Sequence, residues 1–336
     1  MKTKDHVLAL LEENRGSSIS GAAIAEQLQL SRNAVWKAVK ELEKDGYKIT
    51  AVTNKGYSLD GDNDILSAQG ILPHLMPEIA EKIAENNFET ILVYDSLEST
   101  NKVAKEHALL NLQHGTVVIA DSQSAGAGRY GRSFYSPPGS GIYMSIVLDP
   151  KQLSFSTPTL ITSFIALCVC EAIEAATDKA AEIKWVNDIF LDGKKICGIS
   201  TEASMDFESG STQWIVVGIG INVIPPKGGF PKDARNVVGA LFEEGIPRAS
   251  DISRNRLIAQ VMNHILSSDA HYSENEMLEK YRQRMFLLGQ QVLVTRGEQQ
   301  FEALAVGIDD SGQLVIQNSD GKREALSSGE ISIKPM

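Results

Sequence analysis

The chain is short of several things, and each shortage closes off a class of function. It has three cysteines in 336 residues, Cys168, Cys170 and Cys197, an odd number without metal-ligand spacing. Reduced thiols in a cytoplasmic protein are the expectation. Its six histidines form no H-E-x-x-H, and neither His107/His114 nor His264/His271 has helical metal spacing, so no protein-held metal is expected. A G-x-S-x-G elbow and a reactive-cysteine motif are both missing, which leaves no nucleophile for covalent catalysis. No run approaches about 18 uninterrupted apolar residues, so no membrane span is expected. The N-terminus takes up acids within a few positions and reads as an amphipathic helix instead of a signal peptide. Positive charge is scarce as well. A net charge of −11 argues against a nucleic-acid binder that uses its whole surface.

That scarcity is uneven. Residues 1–60 hold nine Lys/Arg and eight Asp/Glu, a balance of +1, and the remainder is left with 23 against 35. Any DNA contact therefore belongs at the N-terminus. The pattern there agrees. Val7, Leu8 and Leu11 mark a first helix, and ISGAAIAEQLQL and SRNAVWKAVKELEKDGY mark two more, with a turn at Gln29–Leu30 and Ser31 as N-cap. KITAV and GYSL, joined by TNKG, make a hairpin. Three helices and a hairpin describe a winged helix-turn-helix over residues 1–62. Ser31, Arg32 and Asn33 would meet base edges and Lys37 and Lys40 phosphates, with Trp36 in the core.

The composition is ordinary for a globular chain of two or three domains, with 43% hydrophobic and 22% charged residues. A helical connector is expected over 63–88. From residue 89 to 287, strands (ILVYDSL, TVVIAD, GIYMSIVL, EIKWVNDIFL, KKICGISTEAS, WIVVGIGINV) mix with helices (STNKVAKEHALL, the long TPTLITSFIALCVCEAIEAAT). A hairpin should turn through Asp192-Gly193. Residues 288–336 are short strands and turns, which suggests a small barrel.

The loop SAGAGRYGRS contains Gly126-Ala-Gly128-Arg-Tyr-Gly131, a G-x-G-x-x-G spacing, and the overlapping run from Gly126 to Ser133 differs from a P-loop at one residue, Arg132 where lysine should stand. Dinucleotide and P-loop sites both need a helix directly after the glycines, and SFYSPPGSG forbids one. A kinase-type loop lacks its H-R-D and D-F-G partners. What remains is a glycine-rich loop between strands, which lets backbone approach an anion while Arg129 and Arg132 supply charge. A mobile surface loop is the plain alternative. Lys184-Trp185-Val186-Asn187-Asp188 offers a lysine that could equally snorkel. Ser99-Thr100-Asn101 precedes a helix and could simply cap it. Gly218-Ile-Gly220-Ile-Asn222 ends a buried strand on a polar residue, which suits a ligand site or a tight turn.

Taken in order, the winged helix, DSLESTN, DSQSAGAGRYGRSFYSPPG, KWVNDIFLDGKKICGISTE, VVGIGINV and the terminal GEISI resemble the biotin protein ligases of the bifunctional type that double as repressors. The match spans essentially the whole chain. Three departures stand out: Val186 where the family usually has proline, Ala127 where an arginine is common, and Ser200-Thr201 in place of an aliphatic pair. The resemblance implies an α+β fold with a central mixed-sheet catalytic domain of the biotin/lipoate ligase type and an SH3-like C-terminal domain. It implies two steps, in which biotin and Mg-ATP give biotinyl-5′-AMP and a lysine of a biotin carboxyl carrier domain then displaces AMP. No enzyme nucleophile is needed, only positive charge around two anions that repel each other.

The same carry-over assigns biotin to Ser99, Thr100, Asn101, Gln123, Gly126, Gly128, Arg129, Lys184 and Gly198. It assigns ATP to Arg129, Tyr130, Gly131, Arg132, Phe134, Asn187 and Asn222, with Lys184, Arg129 and Arg132 catalytic. Partners would be a carrier domain, operator DNA and a second copy of the chain once biotinyl-AMP is bound, with no membrane. Two rivals stand beside this reading: a transcription factor that senses a ligand without catalysis, and a lipoate ligase.

Overall fold

In the computed structural model, residues 2–52, 55–85, 89–128, 131–155, 157–205, 208, 211–231, 237–243, 253–268, 272–296, 298–327 and 330–333 are described. The chain opens with three helices, Thr3–Glu13 (α1), Gly21–Gln27 (α2) and Arg32–Lys44 (α3). The Ser20 and Ser31 hydroxyls accept the N–H groups of Ala23 (3.0 Å) and Ala34 (3.1 Å). Each satisfies an amide that no helical carbonyl can reach. Ile49–Val52 (β1) pairs antiparallel with Gly56–Leu59 (β2) to make the wing. Val7, Leu8, Leu11, Ile24, Val35, Val39, Leu42 and Leu59 share a core of their own. Trp36 corrects an expectation: it is 50% exposed. Positions 33, 36, 37 and 40 lie on the helix face turned away from Val35, Val39 and Leu42, and Arg32 is exposed at the first residue of the helix.

The connector is not a free linker. Ala68–Ile71 (α4) and Pro77–Glu85 (α5) deliver Ile71, Ile79 and Ile83 to the main core, and Leu66 and Leu75 join it from the segments just before them. Arg254, 5% exposed, bonds the Asp64 carboxylate through its backbone N–H (2.8 Å) and Nε (3.0 Å), and Asp121 through Nη1 (2.6 Å).

The main sheet contains Ile91–Leu97 (β3), Thr116–Gln123 (β4), Gly141–Leu148 (β5), Glu182–Lys184 (β6), Asp188–Leu191 (β7), Lys194–Met205 (β8) and Thr212–Asn222 (β9). Their order is β3-β4-β5-β9-β8-β7-β6. β3 and β4 run parallel, joined by Thr100–Leu110 (α6), and every other pair is antiparallel. EIKWVNDIFL, expected as one strand, is two. The chain turns at Trp185–Asn187, where the Trp185–Val186 peptide is cis, and β7 pairs back on β6.

Successive strand residues point to opposite faces. Val117, Ile119, Ile146, Leu148, Ile215 and Val217 join the main core, whereas Val118, Val147 and Val216 pack with Ala104 and Ala108 of α6. Pro158–Thr177 (α7) is long and apolar enough to cross a membrane, yet 78% of that span is buried inside the protein. It is a core helix. Arg254–Ser268 (α8) and Glu274–Gln283 (α9) pack beside it.

The small β-domain expected at the C-terminus is one antiparallel sheet. Its strands are Gln291–Arg296 (β10), Gln299–Ile308 (β11), Leu314–Gln317 (β12), Arg323–Leu326 (β13) and Glu330–Ile333 (β14), in the order β13-β12-β11-β10-β14. Val292, Val294, Ala305, Leu314 and Ile316 belong to the same core as the main sheet. The Trp185 indole N–H donates to the Gly312 carbonyl at 3.0 Å, and Tyr281 Oη to the Val186 carbonyl at 3.2 Å.

Candidate active site

The glycines of VVGIGINV prove to be a floor. Along β9, Val217, Ile219 and Ile221 face the main core, so Gly218 and Gly220 face the α6 side. Across the sheet they line up in two rows, Tyr143–Gly220–Gly198 and Ser145–Gly218–Ser200. A cavity open to solvent stands over them, about 490 Å³ with its open mouth included. The Phe134 ring lies on the same glycines. A Cβ on Gly220 would come within 2.6 Å of it, and the ring meets Tyr143 edge-on with centroids 6.3 Å apart. The absence of side chains in the floor is what admits an aromatic ring.

The wall at the start of α6 is polar. Ser99 holds the N-cap position, but its hydroxyl makes no capping bond, contrary to the simple capping alternative. Gln123 takes over: its Oε1 accepts the Thr100 N–H at 2.8 Å, and its Nε2 donates to Ser136 Oγ at 3.0 Å. The Ser99 hydroxyl is left in the cavity wall with Thr100 and Gln123. Asn101 also lines the cavity, but its amide is committed. Nδ2 donates to Ser200 Oγ (3.2 Å) and Glu202 Oε1 (2.8 Å), while Oδ1 accepts from Ser145 Oγ (2.6 Å).

The glycine-rich loop folds back on itself. The Gly128 N–H donates to the Arg132 carbonyl and the Phe134 N–H to the Gly126 carbonyl, both at 2.7 Å. At Gly126 any Cβ would stand 2.5 Å from the Phe134 carbonyl oxygen. Gly128 and Ala127 line the cavity. Gly131 and Arg132 are exposed and do not. Arg129 and Tyr130 lie outside the described residues.

The lysine of the motif stands apart from the cavity lining. Lys184 pairs with Asp188 and Asp188 with Gly198, so Lys184 lies two strands beyond the floor, roughly 10 Å away along the sheet. Its Nζ sits 5.7 Å from the centroid of the Phe190 ring, and it does not line the cavity. Lys195 does. Its Nζ is 2.7 Å from Asp188 Oδ1, with the two side chains 23% and 17% exposed, and it lies 3.4 Å from where a Gly198 Cβ would be. Sequence reasoning passed over Lys195. The available signal was KKICG itself, a lysine held by the Asp192-Gly193 turn close to a floor glycine.

Asn187 lines the cavity while its Nδ2 donates to the Ile199 carbonyl at 2.7 Å. Asn222 is withdrawn: it is buried, and its Nδ2 donates to the Gly239 carbonyl at 3.0 Å, holding residues 237–241 against β8. Tyr143, Ser145 and Ser200 are further polar residues that the sequence reading missed. They sit at alternate positions of apolar strands, and alternation was the signal. The three thiols are buried, and burial pushes those of Cys170 and Cys197 well above the usual range, so they stay protonated.

At the other end of the chain, Asn33 and Lys37 are exposed on one face of α3, and Arg32 is exposed at its N-terminal end. Ser31 spends its hydroxyl on the cap, and Lys40 pairs with Glu43 at 2.6 Å. An exposed pair of this kind is worth about 0–1 kcal/mol, too little to withhold a lysine from a phosphate.

Residues 93–222 match the biotin/lipoate A/B protein ligase family, 3–58 an HTH domain and 287–334 the biotin protein ligase C terminal domain. The chain is 33% identical over 325 residues to the bifunctional ligase/repressor BirA of Bacillus subtilis, covering 96% of each. It is 28% identical over 336 residues to that of Escherichia coli, covering 98% of this chain and 96% of that one. The biotin protein ligase of Aquifex aeolicus, solved with biotin and ATP, superposes with a TM-score of 0.59 at 27% identity, over 73% of this chain and 99% of its own. Residues of the ligase family, an HTH domain before them and a ligase C terminal domain behind them thus stand in one chain that aligns with the BirA proteins over nearly its whole length: the chain belongs to the biotin protein ligases, in their bifunctional ligase/repressor form.

Proposed function

We propose that the cavity joins biotin to ATP. A carboxylate oxygen of biotin attacks the α-phosphorus, pyrophosphate leaves, and biotinyl-5′-AMP stays bound until a lysine amine of a biotin carboxyl carrier domain attacks the acyl carbon and expels AMP. One observation carries this reading. The same cavity combines uncharged hydrogen-bonding groups (Ser99, Thr100, Gln123) suited to a cyclic urea with an ammonium, Lys195, suited to anions. Carboxylate and phosphate repel as they meet, and a cation in a partly dry site offsets that repulsion. An ammonium has three donors. Asp188 takes one, which fixes Lys195 in place and leaves two for the reacting oxygens.

Gly126, Gly128 and Gly198 bring backbone close to biotin, and Phe134 covers a flat base. Arg129, Tyr130, Gly131 and Arg132 supply further contacts to the phosphates from the loop. Among the described residues no three His, Cys, Asp or Glu side chains cluster to hold a metal, so Mg²⁺ is read as arriving on the nucleotide. Residues 89–287, with 288–336, carry this chemistry in a reducing cytoplasm. Pyrophosphate exchange tests it: the expected substrate is biotin. Exchange with lipoate instead would replace the substrate, and no exchange alongside intact operator binding would leave the sensor reading.

The exposed face of α3 supports operator binding by residues 1–62. A tight complex makes about 6–10 phosphate contacts, more than one winged helix of charge +1 on an acidic body supplies. Two copies on a palindromic site double them, so the repressing species is a homodimer formed once biotinyl-AMP orders the loop. Sedimentation at micromolar protein should show dimers only with biotin and ATP. A loaded monomer that binds operator tightly would end this account and leave the ligase intact.

A further inference from the structure

Thr100 and Ser145 have more acceptors around them than their two hydroxyl hydrogens can serve, and the way this resolves reaches beyond the cavity. Glu202 Oε1 accepts from Asn101 Nδ2, and its Oε2 accepts from Lys105 Nζ, each at 2.8 Å. Burial pushes the Glu202 carboxyl up, but the hydrogen bonds from Lys105 and Asn101 outweigh it and hold it below the usual carboxylate range. An ionised carboxylate only accepts. Asn101 must therefore turn its NH₂ toward Glu202 and its Oδ1 toward Ser145 Oγ, 2.6 Å away. That oxygen cannot donate, so the one hydrogen of Ser145 goes to it.

Ser145 Oγ is also 2.7 Å from Thr100 Oγ1. With the Ser145 hydrogen committed, the hydrogen between the two oxygens is that of Thr100. The contact from Thr100 Oγ1 to Gln123 Oε1 is longer, at 3.1 Å, and Gln123 Oε1 already holds the Thr100 N–H. Thr100 thus donates inward and presents lone pairs to the cavity. The fold protects this chain of bonds. Ser145 is fully buried, and a Cβ on Gly218 would strike Asn101 Oδ1 and come within 2.7 Å of Ser200 Oγ.

We propose that Ser145, Asn101 and Glu202 are positioning residues that fix Thr100 as a hydrogen-bond acceptor, so that the cavity requires an N–H donor from its ligand at that point. The proposal rests on the biotin reading, in which a ureido N–H is the donor. It reassigns Asn101 from ligand contact to scaffold, and it gives Glu202, whose side chain is 43% exposed, a specificity role.

The test is pyrophosphate exchange by the full chain, with biotin and with a biotin analogue carrying a ring oxygen in place of one ureido N–H. Ser145→Ala should raise KM for biotin about tenfold, with KM for ATP and kcat within about twofold of the parent. Glu202→Leu should do the same from outside the cavity, and it keeps the test open if Ser145→Ala fails to fold. Glu202→Gln, whose amide oxygen still accepts from Asn101, should recover most of the affinity. The preference for biotin over the analogue should shrink in Ser145→Ala and Glu202→Leu. Unchanged KM and unchanged preference in both would overturn the proposal. So would a fall in kcat with KM for biotin unmoved, or equal losses for biotin and ATP, since either marks a structural role. If the parent protein uses no biotin, the reading beneath the proposal fails first, and that result is seen before any variant is made.

Discussion

Lys184 and Lys195 flank the same hairpin, and their separation in space was hidden in the sequence. The motif around them stood out in the sequence, because a lysine among apolar strand residues needs a reason to be there. Which lysine lines the cavity was not legible. It depends on the chain breaking at Trp185–Asn187, so that β6 pairs outward and carries Lys184 to the sheet edge. Trp185 and Val186 read as strand residues by composition. They form a turn because the Gly312 carbonyl and Tyr281 hold them from behind, both remote in sequence. Lys195→Ala should lower pyrophosphate exchange about a hundredfold or more, the usual loss of a charge stabilising a transition state. Lys184→Ala should stay within about threefold. The reverse ranking would return the role to Lys184.

Among elements, helices and strands were readable from periodicity and caps, as Ser31, the Gly218/Gly220 alternation and the β1–β2 hairpin show. The contacts that lock helices together were not, since each partner lies far away in sequence. Glu171 of α7 accepts hydrogen bonds from Lys280 of α9 (3.2 Å) and from Tyr272 (3.0 Å), and His264 Nδ1 of α8 lies 3.6 Å from it. Burial pushes its carboxyl up, but the bonds from His264, Lys280 and Tyr272 prevail and bring it down to about 2. A carboxylate depressed on folding stabilises fully above its unfolded value, near 4.5, and that contribution drains away as pH falls toward 2. Urea unfolding should find Glu171→Gln less stable than the parent by about 1–3 kcal/mol at pH 6, with a smaller gap at pH 3. An equal gap at both would show that the charge is not what joins the three helices.

On the scale of the whole molecule, the order of parts was legible because charge, motif and turn density change along the chain. How the parts share cores was not. The winged helix builds a core of its own, from Val7 to Leu59, with Ile65 of the connector packed against its edge. The main core runs from Leu66 of the connector through the main sheet to Leu326 of the last domain, with a smaller cluster under α6 on the other face of the sheet. The division has a calorimetric consequence. Residues built into one continuous apolar interior melt together, whereas a separate small interior melts alone. Heating should give two endotherms, a minor one from the winged helix and a major one from everything after it. Biotin, at a hundred times its dissociation constant, should add about 2.7 kcal/mol to the major transition alone. A truncation ending before Gln291 should abolish that transition, because the C-terminal sheet supplies one side of the interior on which the catalytic strands rest.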